Sequence, residues 1–211
     1  MKRKEQILEV SLELFNSEGE ANLSAVDIAN EMDISPGNLY YHYKGKEELI
    51  QALFERYEGS IKTLLQEAID GQGELEEILA IYLVLVEQIY KYRFFYRNLS
   101  DLLEKYSDIE RRFRRLISLK EAVSVIAIQK MVEKGHLDEE QVILGGEEQI
   151  AANVTMILTC LYEYQAVHGE ILEKERFMEI ALERIIAAIS PYSGKLMARH
   201  INFLQAFFEN N

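Results

Sequence analysis

The stretch Ser35-Pro36-Gly37-Asn38-Leu39-Tyr40-Tyr41-His42 places small residues and hydrogen-bonding rings side by side. That mixture suits the major groove of duplex DNA. Base edges there present distinct donor and acceptor patterns, so an entering helix needs small side chains for approach and polar ones for readout. Pro36, Gly37 and Asn38 supply the approach, and Tyr41 and His42 the polar reach. Cations for phosphate contact fall at two places in residues 1–50: Lys2, Arg3 and Lys4, then Lys44 and Lys46. Ten Asp and Glu residues oppose these five, so the segment is net −5 within a chain of net charge −13. This balance argues against a generic basic nucleic-acid coat protein. Contact with phosphates must depend on where the few cations sit, because charges more than about 8 Å apart are largely screened at physiological salt.

Other chemistries find little support. No nucleophile stands beside a base, no glycine loop is built to cradle phosphate, and no HExxH constellation is present, so an enzyme is not expected. His42, His136, His168 and His200 are scattered without ligand spacing, which points to no metal and no cofactor. Cys160 is the single cysteine; its apolar neighbours suggest a buried thiol. The opening Met1-Lys2-Arg3-Lys4 looks like a signal-peptide start, but Glu5, Glu9 and Glu13 interrupt the apolar segment such a leader needs. The longest uncharged apolar run, 78–86, is far short of the roughly 18 residues that span a bilayer. A soluble, cytoplasmic protein with no membrane partner is expected.

Two prolines, 11 glycines and abundant Leu, Ile, Glu, Ala and Lys favour an all-α chain. A first helix over 2–18 carries the stripe Leu8, Ser11, Leu12, Phe15 and ends at Gly19. Ser24-Ala25-Val26-Asp27 reads as a capping box opening a short helix over 25–32. Ser35 as N-cap and Pro36 at the first helical position open another over 36–41. Two short helices joined by about three residues and braced by an amphipathic one make a helix-turn-helix. A longer helix from Lys46 to about residue 69 follows, then a break at Gly71-Gln72-Gly73. Further helices are expected over 75–96, 99–106, 109–134, 139–168, 174–189 and 195–208, with Gly145-Gly146 as a possible kink. The expected domains are a DNA-binding unit at 1–48 and a helical dimerisation and effector-binding unit at 49–211.

The run from Ser35 to Leu49, Ser-Pro-Gly-Asn-Leu-Tyr-Tyr-His-Tyr-Lys-Gly-Lys-Glu-Glu-Leu, resembles the recognition-helix region of TetR-family regulators. Ile7-Leu8 through Leu14-Phe15, Gly19, Ser24 and Ile28-Ala29 agree with that family in order and spacing. Phe95-Tyr96-Arg97-Asn98-Leu99 and Arg111-Arg112-Phe113-Arg114-Arg115-Leu116 also look like one branch of its C-terminal domains. The resemblance implies a TetR-like fold, a three-helix head on a helical bundle. It places Tyr40 and Lys46 on phosphates and Ser24 and Ala25 on the DNA backbone. Lys2, Arg3 and Lys4 are placed to add an N-terminal clamp. Tyr43, by its spacing after Leu39, reads as core. The chain departs from the family at three positions. Asp33 stands where a turn glycine is common, Glu20 where an aromatic often follows Gly19, and Gly45 where a polar cap usually precedes Lys46.

A single reading head contacts few base pairs, so a homodimer on a palindromic operator is expected. Val154, Ile157, Leu158 and Leu161, with Phe177, Ala181, Ile185 and Ala188, form stripes suited to a four-helix dimer bundle. The same stripes also suit an intrachain core. Tyr82, Val86, Tyr90, Phe94, Phe113 and Tyr162 are candidate walls for an apolar effector pocket, the resemblance implying a small amphipathic effector. Arg111, Arg112, Arg114 and Arg115 either anchor such an effector or lie on a solvated face, paired with Glu104, Asp108 and Glu110. The expected function is a DNA-binding repressor. The alternative is a ligand-carrying or partner-binding helical dimer with a vestigial head.

Overall fold

A computed structural model describes residues 3–169 and 173–193, and these are helical with short connections. Helix α1, Arg3–Glu18, buries Ile7, Leu8, Leu12 and Phe15, and Gly19 ends it at φ +88. Helix α2, Ala25–Glu31, opens on the capping box: the Asp27 N–H donates to the Ser24 hydroxyl, and the Ser24 N–H donates to the Asp27 carboxylate. Helix α3, Pro36–His42, opens with the Ser35 hydroxyl accepting from the Asn38 N–H. Between them Asp33 takes φ 55, a left-handed conformation unusual for a side-chain-bearing residue. This is the turn position where the family commonly has glycine. Asp33→Gly should therefore stabilise the fold by about 0.5 kcal/mol, raising the calorimetric melting temperature by roughly 1–2 °C.

Helix α4, Lys46–Asp70, runs from this head into the body, so the expected boundary at 48/49 lies inside its first turn. Its C-terminus is held by the Lys130 ammonium, which donates to the carbonyls of Ile69 at 2.5 Å, Gly71 at 2.7 Å and Ala68 at 3.2 Å. There the cation meets both orphan acceptors and the negative end of the helix dipole. The body adds α5 (Leu75–Lys91), α6 (Phe94–Arg97), α7 (Leu99–Lys105), α8 (Ser107–Glu133), α9 (Glu139–Gly145), α10 (Glu147–Val167) and α11 (Lys174–Ile189). Helix α8 lies between α4 and α10, while α11 packs on α5 and α10. Among the described residues, no helix is long and apolar enough to cross a membrane.

Two expected helices divide. The one over 75–96 stops at Lys91, although no Gly or Pro interrupts it. The Asn16 side chain of α1 donates to the Lys91 carbonyl at 2.9 Å and accepts from the Phe94 N–H at 3.0 Å, satisfying the backbone groups that the break releases. Tyr92, Phe94, Phe95 and Tyr96 are consequently all buried. The helix over 139–168 divides at Gly145-Gly146, where Gly146 takes φ 78. Cys160 is exposed, not buried. It is turned nearly opposite to Leu158, since each helical residue advances about 100° and Leu158 faces the core. The helix expected over 195–208 lies outside the described residues, as do Lys2 and His200.

Candidate nucleic-acid interface and effector cavity

Helix α3 rests on the head through Leu39, which is fully buried; the residues around it face outward. Ser35, Gly37, Asn38, Tyr40 and Tyr41 are exposed, Tyr41 by 85%, while Pro36 and His42 are half-buried. The Tyr41 and His42 rings meet edge to face at 5.1 Å. Tyr43 is core, as its spacing implied, with its hydroxyl donating to the Lys4 carbonyl and the Lys4 ammonium 5.0 Å from its ring. Arg3, Lys4 and Lys44 are exposed. Ser24 is exposed, with its hydroxyl donating to Asp27 at 2.6 Å. The Ala25 side chain is buried, and its backbone N–H lies in the first turn of α2, where it has no intrahelical acceptor.

Lys46 is engaged within the chain. Its ammonium donates to the Glu20 carbonyl at 2.8 Å and lies 3.2 Å from the Glu20 carboxylate. The same carboxylate accepts from Lys105 at 2.7 Å and from the Tyr106 hydroxyl at 2.5 Å. Burial pushes the Glu20 carboxyl up, but hydrogen bonds from Lys105, Tyr106 and Lys46 outweigh it and hold the group below the usual range. One residue thus ties the first turn of α4 to the end of α7 and the start of α8. It is the position where the chain departs from the family's aromatic.

The body holds a small apolar cavity, with room for about one water molecule, bounded by Leu65 and Ala68 of α4, Ile78 and Tyr82 of α5, and Lys120 and Ser124 of α8. The Tyr82 hydroxyl pairs with the Ser124 hydroxyl at 3.1 Å. Of the six aromatic and aliphatic residues expected to wall a pocket, Tyr82 alone bounds this one. Val86 faces a smaller crevice beside Phe177. Tyr90 and Tyr162 pack their rings on Phe177, Phe94 on Phe15, and Phe113 on Phe54 and Tyr96, so these serve as core. Lys120, 1% exposed, was not among the expected residues. Its signal lay in the α8 stripe Phe113, Leu116, Lys120, Val123, Ala127, whose spacing places a lysine at a core position.

The arginine cluster faces elsewhere. Arg111 pairs with Asp108 and Arg114 with Glu110 on an exposed face. Arg112 makes two hydrogen bonds to Glu58 of α4 and stacks on Phe54. The solvated-face reading holds for Arg111 and Arg114, and Arg112 is a strut between α4 and α8. The proposed dimer stripes also need correction. Val154, Leu158, Leu161, Phe177, Ala181 and Ile185 are buried in the chain's own core, and Ile157 and Ala188 pack partly against it. The apolar residues that α10 leaves open are Met156, Tyr164 and Val167.

A short capped helix presenting polar side chains from a helix-turn-helix, carried by a linking helix on an all-α body, defines a DNA-binding transcriptional regulator. Two family descriptions match in tandem: "Bacterial regulatory proteins, tetR family" over residues 7–53 and "Bacterial transcriptional repressor" over 56–199. The chain belongs to the TetR family, which is one of regulators rather than enzymes. It is 30% identical over 145 residues to a probable HTH-type transcriptional regulator of Bacillus subtilis (strain 168), YttP, covering 67% of this chain and 68% of that one. A TetR-family regulator of Marinobacter aquaeolei VT8 superposes with a TM-score of 0.86 at 26% identity, covering 99% of each chain. The SmeT–triclosan complex shares the fold alone, with a TM-score of 0.62 at 15% identity over 91% of this chain and 92% of that one.

Proposed function

We propose that the protein is a cytoplasmic repressor that binds a palindromic operator as a homodimer and is modulated by a small amphipathic effector held in the body. The observation that carries the DNA-reading part is the outward face of α3, above all Asn38 and the 85% exposed Tyr41. Side chains so placed serve neither core nor cap. A small apolar cavity among α4, α5 and α8 supports the effector part, and a structural neighbour, SmeT, is found in complex with triclosan. Helix α4 supports coupling between the two: its far end bounds the cavity with Leu65 and Ala68, and its first turn carries Lys46. An effector that favours one placement of α4 thereby changes head spacing and operator affinity. Lys46 adds a local element, because to reach a phosphate it must leave the Glu20 carboxylate that Lys105 and Tyr106 also hold.

Fluorescence anisotropy with the protein's own upstream DNA tests this. Binding should weaken steeply as salt rises, because each neutralised phosphate releases counterions. The Asn38→Ala, Tyr41→Ala double variant should bind at least about 100-fold more weakly at fixed salt, since each base-edge contact is worth about 1–3 kcal/mol. Its melting temperature should not change, because both side chains are exposed. Unaltered affinity in the variant, or binding without salt dependence, returns the alternative of a ligand-carrying dimer with a vestigial head.

A further inference from the structure

Donors from both head and body converge on a single oxygen, Oε1 of Glu20. The Tyr106 hydroxyl donates to it at 2.5 Å and the Lys105 ammonium at 2.7 Å, while the Lys46 ammonium stands further off at 3.2 Å. A carboxylate oxygen offers two lone pairs, and the two shorter, charge-assisted contacts fill them. Lys46 is therefore the least firmly held of the donors, kept near Glu20 by charge attraction and by its bond to the Glu20 carbonyl at 2.8 Å. Asp27, held below the usual carboxylate range by its bonds to Ser24, also feels the Lys46 charge, so the ammonium lies close to the capping box that opens α2.

This sharing decides how readily Lys46 turns to a phosphate. With Lys105 and Tyr106 in place, its departure leaves the carboxylate paired and hydrogen-bonded. Without them, Lys46 is the one cation left on a side chain only 9% exposed, among the described residues, and taking the last partner from such a charge is strongly disfavoured. Both of the other donors belong to the body. Lys105 ends α7 and Tyr106 precedes α8, whose middle turns bound the small cavity through Lys120 and Ser124. A change in the bundle that draws the start of α8 away from Glu20 withdraws both donors together. Burial, and then its bond to Glu20, hold the Tyr106 hydroxyl well above the usual phenol range, so it remains a donor.

We propose that Lys105 and Tyr106 set the DNA affinity of the head by sharing Glu20. While both donate to its carboxylate, Lys46 exchanges Glu20 for an operator phosphate; when the body withdraws them, Lys46 is locked to Glu20 and one phosphate contact is lost. This inference rests on the DNA-reading proposal and names a route by which the body governs it. Glu20, Lys105 and Tyr106 touch no DNA in this exchange and act as positioning residues for Lys46.

Fluorescence anisotropy with the upstream DNA across a salt series tests the exchange. Lys105→Met combined with Tyr106→Phe should weaken binding about 5–10-fold at fixed salt and flatten the log–log salt slope by about 0.9, the share of one phosphate, matching Lys46→Met. Adding Glu20→Gln to that pair should restore both affinity and slope, because no carboxylate remains to hold Lys46. A merely structural loss is not rescued by removing a further contact. Tyr106→Phe alone, which keeps the buried ring, should show the same loss in smaller degree, and thermal melting checks that each variant is folded. A folded pair that binds as the wild type does, or a loss that Glu20→Gln leaves in place, overturns the exchange while the DNA-reading proposal stands. Lys46→Met with the wild-type slope also overturns it, since Lys46 then meets no phosphate. Wild-type protein that does not bind the upstream DNA removes the DNA-reading proposal and the exchange together.

Discussion

A Met156→Glu, Val167→Glu double variant should run as a monomer in light scattering and lose operator affinity by roughly 10²–10⁴-fold at fixed salt. The two side chains are 58% and 81% exposed and lie on the outer face of α10, beside Tyr164 and Cys160. A two-fold interface brings a patch against its own copy, so each added carboxylate meets like charge there. In the isolated chain both positions face water, and surface changes of this kind alter stability by about 0.5 kcal/mol or less. The inward stripe Val154, Leu158, Leu161 is untouched, so thermal melting of the monomer separates loss of dimer from loss of fold. The affinity loss follows from linkage of the heads: once one half-site is bound, the second head acts at a high effective concentration, which a monomer forfeits. A variant that stays dimeric moves the interface off this face, and a wild-type monomer at micromolar concentration ends the homodimer proposal.

What the sequence made legible divides along the range of the forces involved. The head was readable because its signals are local: Ser24 with Asp27, Ser35 with Pro36, and Asp33 at a turn that needs positive φ all act within a few residues. The α3 face followed, because burying Leu39 turns Asn38 and Tyr41 outward. The end of α5 was not readable, because the break is stabilised by Asn16, 75 residues from Lys91. The stripes on α10 and α11 were visible, but helical period alone does not say whether a partner helix belongs to the same chain or to another. Burial of Phe177 and Ile185 gives them to this chain, and the open face fell to residues that broke the pattern. The residues whose spacing suggests a pocket wall are mostly aromatics, the usual core material. The informative member of the cavity wall is Lys120, which a hydrophobic stripe conceals. Glu20 stands out in the sequence as an exception, but its three partners come from α4 and from residues 85 and 86 positions along the chain.

The buried lysine also leaves a mark on stability without any ligand. In the unfolded chain Lys120 takes a proton with a pKa near 10.5, and in the folded chain near 7. Between those values the unfolded chain binds more protons, so folding stability rises with pH. Below pH 7 both states are charged and the full cost of burying the ammonium is present; toward pH 9 the folded amine is neutral and about half of that cost has gone. The expected slope is about 1 kcal/mol per pH unit, or roughly 2 kcal/mol between pH 7 and 9. The window closes near pH 10, because Tyr57 of α4, Tyr96 of α6 and Tyr82 of α5 all have raised pKa values through burial, and groups of that sign withdraw stability once the unfolded phenols ionise. Lys120→Met keeps the stem's volume and removes the charge, so it should be more stable than the wild type by a few kcal/mol at pH 6–7, as when buried ions give way to apolar side chains. That advantage should shrink steadily toward pH 9. Urea midpoints of both proteins at half-unit steps from pH 6 to 9 provide the measurement. A wild-type-to-variant difference that stays constant across that range means the folded amine keeps its ordinary pKa, and a carboxylate or water must then already reach it.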